Sequence, residues 1–218
     1  MRKYEAAYLA ANGDERSITR LAPATGLFEA AFMGFSRGTL IATPDGTVAI
    51  EDIYPGMSVM TDEDGAQRVL WKGATTIVPD APGQSSQAAR LVRMPAETMG
   101  LQRPTHDLLL GRGARVWRES RGLMVSGATL IDEDVAFAVM PQSPVRVFHL
   151  ALAQHCCIRA NGIEVESFHP GEALSRVTRP ELRGLYVSLF PHLTSLAGFG
   201  PMRFLREAEA FEPLPELD

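Results

Sequence analysis

Several side chains in this sequence could take part in covalent or metal chemistry. A serine such as Ser36 becomes a nucleophile only with a base beside it and a carbonyl in front of it; otherwise it is a surface hydroxyl at a strand start. His106 follows Pro104-Thr105 and, with Asp107, leads into the apolar run Leu108–Leu110. It could serve as a general acid, although a histidine at a strand entry is more often a hydrogen-bonded surface residue. His149, His155 and Cys157 share parity and would face one side of a single continuous strand. With His106 or His169 they would make four ligands of the kind zinc takes. No tight C-x-x-C pair supports such a site, so no bound metal and no cofactor is expected. The plainer reading is one or two buried histidines bonded to backbone, with Cys157 acting as a small hydrophobe. Cys156 and Cys157 are adjacent, a poor arrangement for a disulfide. Asn161-Gly162 resembles a cleavage asparagine only superficially, because turn geometry already explains the pair.

Those residues need a scaffold, and the hydrophobic pattern describes one. From Gly38 to Phe168 short β-rich runs alternate with turn signals at period 2. Pro44-Asp45-Gly46 and Asp62-Glu63-Asp64-Gly65 separate two strand pairs. Asn161-Gly162 lies between Cys157–Arg159 and Ile163–Ser167 and predicts a type I′ hairpin with both residues at positive φ. Residues 79–88, PDAPGQSSQA, read as a surface loop. Residues from about Glu5 to Ala11 predict a short helix ended by Asn12-Gly13, and Leu27–Met33 predicts an apolar segment docked on the core. After about Pro180 the period becomes helical, broken at Pro191, with a second amphipathic stretch over Pro201–Phe211. Thr39–Met60 and Arg115–Met140 form a faint internal repeat: strand, turn closing on Gly46 or Gly122, strand, acidic turn, strand. Two copies suggest a pseudo-symmetric pair of subdomains; chance likeness between two β-meanders is the alternative.

Bulk properties exclude some functions. The chain has 218 residues, 45% hydrophobic and 22% charged, with a formal net charge of -5. That suffices for a sizeable core and does not suit disorder. Nucleic-acid binding needs clustered Lys and Arg. The local run Arg112, Arg115, Arg118 and Arg121 reads instead as a solvated strand pair. No apolar stretch is long enough to predict a membrane span. Glu5 interrupts what a signal peptide would need, so a cytoplasmic location is the default expectation, with secretion by a route lacking an N-terminal signal left open.

Two blocks carry a resemblance to a family. Gly34–Pro55, GFSRGTLIATPDGTVAIEDIYP, resembles the opening block of bacterial Hint (hedgehog/intein-type) domains at Phe35, Gly38, Thr39, Ile41, Glu51, Asp52 and Pro55-Gly56. Asn161–Gly171, NGIEVESFHPG, is similar to the closing block, and Val147–Leu150 with His155 fit the strand before it. The resemblance implies a mainly-β, pseudo-two-fold fold of short strands and hairpins with C-terminal helices. It divides the chain into a lead-in (1–33), a Hint-like domain (34–171) and a C-terminal helical extension (172–218).

The resemblance also implies a chemistry. In the family an opening cysteine attacks the carbonyl before it and turns an amide into a thioester. A Thr-x-x-His block polarises that amide and protonates the leaving nitrogen. Here the nucleophile position is Gly34, the histidine position is Ala114, and Gly111 replaces the hydroxyl residue. Ser36, on the strand face of residue 34, and His106 are the candidate substitutes. The favoured expectation is a domain that has lost self-cleavage and serves as a folded binding or presentation module for an unknown protein partner, with no nucleic-acid or membrane role. The rival is an active autoprocessing domain using Ser36 or another substitute, and the third is a zinc-stabilised β protein. On this reading Gly34→Cys with Ala114→His begins to cleave near residue 33 if the scaffold geometry survives.

Overall fold

The computed structural model describes residues 1–81, 89–172, 177 and 179–207, so most of the loop expected at 79–88, and residues 208–211 of the last amphipathic stretch, lie outside the described residues. The protein is mainly β, and its named strands pair antiparallel in one continuous sheet system.

Local turn chemistry sets the first hairpins. β4 (Leu40–Thr43) and β5 (Gly46–Ala49) close on Gly46 at φ 120°, and β6 (Ser58–Thr61) and β7 (Gly65–Ile77) close on Gly65 at φ 66°. A 3-10 turn, Ile50–Asp52, links the two pairs. The second copy of the repeat gives the same order: β10 (Arg115–Arg118), β11 (Leu123–Ser126), helix α2 (Gly127–Asp132) and β12 (Phe137–Val139), followed by the long β13 (Val145–Leu152). Ser126 caps α2, its hydroxyl accepting the Thr129 N–H.

The halves exchange strands. β7 pairs with β13. β6 of the first half pairs with β14 (Cys157–Ala160), while β12 of the second pairs with β8 (Leu91–Met94). β3 (Phe35–Ser36) pairs with β13 and with β9 (Leu108–Leu110), and β15 (Ile163–Glu166) joins β14 to β10. Between the halves lies a core that includes Phe35, Ile41, Val59, Leu108, Ala114 and Ile158.

The β14–β15 hairpin turns as expected, with Asn161 at φ 48° and Gly162 at φ 82°. Asn161 also ties three segments together: its Oδ1 accepts the Leu40 N–H at 2.8 Å, and its Nδ2 donates to the carbonyls of Asp107 (3.2 Å) and His106 (3.3 Å). A Cβ at position 162 would sit 3.1 Å from the Gln102 carbonyl oxygen besides requiring positive φ. Gly162→Val is therefore expected to destabilise the protein by roughly 1–3 kcal/mol. Urea unfolding of the variant checks this; an unchanged midpoint would contradict it.

The lead-in differs from the helix expected at 5–11. It is a hairpin of β1 (Arg2–Leu9) and β2 (Glu15–Ala22), and β1 also pairs with β7 from Tyr4↔Thr75 to Tyr8↔Trp71. Tyr4 and Ala6 alternate into the interior, and pairing with a distant strand overrides the helix propensity of the alanines. Leu27–Met33 docks as expected: helix α1 (Gly26–Ala30) buries Phe28, and Phe32 and Met33 follow it inward. Helix α3 (Pro180–Val187) begins on a proline, and Leu196–Phe199 forms a 3-10 turn. Residues 201–207 are extended rather than helical, with Arg206 bridged to Met124. Lead-in and extension meet in a second core of Tyr4, Phe28, Phe32, Trp71, Phe168, Tyr186 and Phe190, and the Trp71 indole N–H donates to the Leu189 carbonyl at 2.8 Å.

Candidate functional site

The peptide bond from Met33 to Gly34 joins the lead-in to β3, and it is enclosed on all sides. Met33, Gly34 and Phe35 are buried. The Gly34 N–H donates to the Phe148 carbonyl at 3.0 Å. The Gly113 N–H donates to the Met33 carbonyl at 2.8 Å, and the Gly111 N–H to the Gly34 carbonyl at 2.9 Å. A Cβ at Gly34 would lie 2.7 Å from the Phe148 oxygen and 2.8 Å from Cγ of His149. The space that a side chain at 34 would enter is thus filled by another strand's backbone and an imidazole. Gly111 and Gly113 are tight for a related reason: a Cβ on either would collide with the backbone of Met33 or Ala30. Ala114 faces the first core, 1% exposed.

His149 belongs to this junction. It is 2% exposed, in edge-on contact with Phe35 (5.7 Å) and Phe168 (5.5 Å). Its Nδ1 accepts the Leu150 N–H at 3.1 Å. Burial pushes its pKa down to about 3, against a smaller raising effect from Glu166. This neutral imidazole fills the space between Phe35, Phe168 and Gly34. The Gly113 amide on the Met33 carbonyl is placed where it could polarise an acyl group.

The other candidates lie apart from the bond or are engaged elsewhere. Ser36 sits in β3 opposite Val147, and its Oγ is 3.4 Å from the Arg37 carbonyl. His106 is exposed at the Asn161 turn, its Nδ1 3.1 Å from the Thr105 hydroxyl. The continuous strand assumed for His149, His155 and Cys157 does not exist: β13 ends at Leu152, β14 begins at Cys157, and His155 lies in the turn between. His155 Nε2 is 2.9 Å from Glu166 Oε1, and its ring lies 4.9 Å from that of His169, tilted by 31°. Cys157 is buried, with its thiol pKa raised by burial and by Glu63. Among the described residues no group of three or more His, Cys, Asp or Glu could hold a metal ion.

The arginine run is not simply solvated. Arg112 and Arg2 both pair with the buried Glu29 of the lead-in, at 2.9 and 3.1 Å. Arg115 reaches the buried Glu166 at 3.6 Å, and Arg118 and Arg121 share Glu133. The residue types single out positions 34, 111 and 114; the structure brings 34 and 111 together and turns Ala114 into the first core, and it adds the amide of Gly113, the Phe148 carbonyl and Glu29. Backbone partners leave no mark on residue type. The match of Glu29 to Arg2 and Arg112 depends on how distant segments meet.

A family model described as Hint domain matches residues 33–172. Among solved structures, a bacterial intein-like domain from Clostridium thermocellum is similar at 17% identity, covering 62% of this chain and 99% of that one with a TM-score of 0.42. The MchDnaB-1 intein is similar at 13% identity, with the same coverages and a TM-score of 0.35. No curated protein matches the chain.

Proposed function

Because the chain belongs to the Hint domain family, whose self-cleavage starts with a nucleophile at the position of Gly34, we propose that it is a non-processing member retained as a folded binding or presentation module. The observation that carries this reading is the occupation of the Gly34 side-chain space by Phe148 and His149. An acyl shift needs a nucleophile beside the carbonyl, an acid for the leaving nitrogen and a distorted or polarised amide. The Gly113 amide supports only the last. General acid help is typically worth about 10²–10⁴-fold, and without it or the covalent route the Met33–Gly34 bond should hydrolyse as slowly as an ordinary amide. The lead-in is built into the sheet through β1 and into the second core through Phe28 and Phe32, which suits a segment kept rather than released.

The test is intact mass of the purified chain after prolonged incubation with and without hydroxylamine or thiol. One undiminished species is the expected result. Fragments ending near Met33, abolished by Ser36→Ala, would replace this reading with active autoprocessing from Ser36.

A further inference from the structure

Residues 203–207 cross the free edge of β11 as an added strand. The Met124 N–H donates to the Leu205 carbonyl at 2.8 Å, and the Glu207 N–H donates to the Met124 carbonyl at 2.9 Å. The pairing is parallel, with Arg206 opposite Met124. Alternate side chains engage the surface beneath. Phe204 packs on Trp117 (6.1 Å) and on the His155 ring (5.0 Å). Arg206 donates its Nε to Glu166 Oε1 at 2.8 Å and an Nη to the His169 carbonyl at 2.7 Å. Leu205 points the other way and is 73% exposed. Arg203 pairs with Asp64 at one end, and the Glu207 carboxylate meets Ser126, Thr129 and Arg121 at the other.

This is the pattern by which sheets bind extended peptides: main-chain bonds along an edge, with pockets for alternate side chains. The wall of the arginine pocket is Glu166, a carboxylate whose side chain is only 3% exposed, which Arg206 approaches at 2.8 Å and Arg115 at 3.6 Å. Its shape fits as well, since a Cβ on Gly171 would strike the Arg206 guanidinium. We propose that the β11 edge and the Glu166 pocket form a peptide groove for an extended Phe-Xaa-Arg-Glu segment. Residues 204–207 of the same chain fill it in cis and leave it without unfolding of the domain. Occupancy of this groove is independent of whether the Met33–Gly34 bond ever breaks.

To test it, a site-specific protease sequence is inserted in the full chain between the exposed Gly200 and Pro201 and cut under native conditions. The expected result is that the released segment co-elutes with the domain, and that excess synthetic peptide of residues 201–210 displaces it while circular dichroism stays unchanged. Arg206→Ala in the peptide should weaken binding by at least about 30-fold, the scale for truncating one partner of a buried charge pair. A segment that cannot be displaced from the folded domain would overturn the proposal, as would a cut domain that binds neither peptide. Amide exchange on the uncut chain gives an independent measure. The Met124 and Glu207 amides should exchange at least about 100-fold faster than the Gly34 amide, and faster again in Phe204→Ala with Gly34 unchanged. Exchange of all three in step would show that the segment opens only with the whole domain. A dimer with exchanged tails would overturn the cis occupancy.

Discussion

Gly34→Cys is expected to destabilise this protein and to leave its chain intact, with or without Ala114→His. Sequence comparison alone makes the double substitution a restoration; the structure makes it an insertion into filled space. The Cβ would meet a carbonyl oxygen of β13 at 2.7 Å and the root of the His149 ring at 2.8 Å, and neither is the flexible end of a side chain. Overpacking of this kind costs about 1–3 kcal/mol and sometimes more. Ala114→His adds a second intrusion, because position 114 faces the first core. Gly34→Ala should cost nearly as much as Gly34→Cys, which separates the space occupied from the thiol. Combining Gly34→Ala with His149→Ala should show a coupling of about 0.5–3 kcal/mol, as expected for residues in direct contact. Thermal melts and intact masses of these variants decide the matter. A Gly34→Cys protein as stable as the parent that releases residues 1–33 to thiol would refute the account.

Acid is expected to unfold the domain steeply, beginning near pH 6.5. Burial holds His149 at a pKa of about 3, and His169 and His192 at about 4; an unfolded histidine titrates near 6.5. Between those limits the unfolded chain binds up to three more protons than the folded one. Folding stability is therefore fully present above about pH 6.5 and is lost as pH falls toward 4, by up to about 4 kcal/mol per pH unit. Total stabilities of about 5–15 kcal/mol would be consumed within a few units. Glu166 adds to the loss at lower pH. Burial alone would raise its pKa, but the bond from His155 and the charges of Arg206 and Arg115 hold it at about 2. Its contribution is present above about 4.5 and disappears as pH falls through 2. Urea titrations from pH 7.5 to 5 measure the slope. His192→Phe, within a ring cluster with Phe190 and Phe199, should reduce it by up to a third. A flat stability profile across that range would contradict the assignment of neutral buried histidines.

What could be read in the sequence was decided locally. The hairpins at Gly46, Gly65 and Asn161-Gly162 follow from residues that accept positive φ, and the two-copy order of strand, turn and strand is visible because each copy carries its own turn signals. What could not be read depends on distant partners. Arg2–Leu9 has the alanines of a helix, and β7, more than sixty residues away, makes it a strand. Glycine is the residue type the sequence shows at 34 and 111, but the reason no side chain fits there lies in Phe148, His149 and the Met33 backbone. His149 shows the same limit from the other side. Its residue type suggests a ligand or a catalyst, and only its neighbours reveal that it fills space.

The exchange of strands between the two halves has a consequence for how the chain must be made. β6 completes its pairing on β14, and β7 on β13. As the polypeptide leaves the ribosome, β7 therefore waits for about 70 further residues before β13 exists, and β6 for about a hundred before β14 does. At about 5–20 residues per second, the longer interval is roughly 5–20 seconds, during which β-prone edges stand open. A chain ending before Cys157 would therefore leave β6 without β14 and is expected to yield an unpaired strand set rather than half a domain.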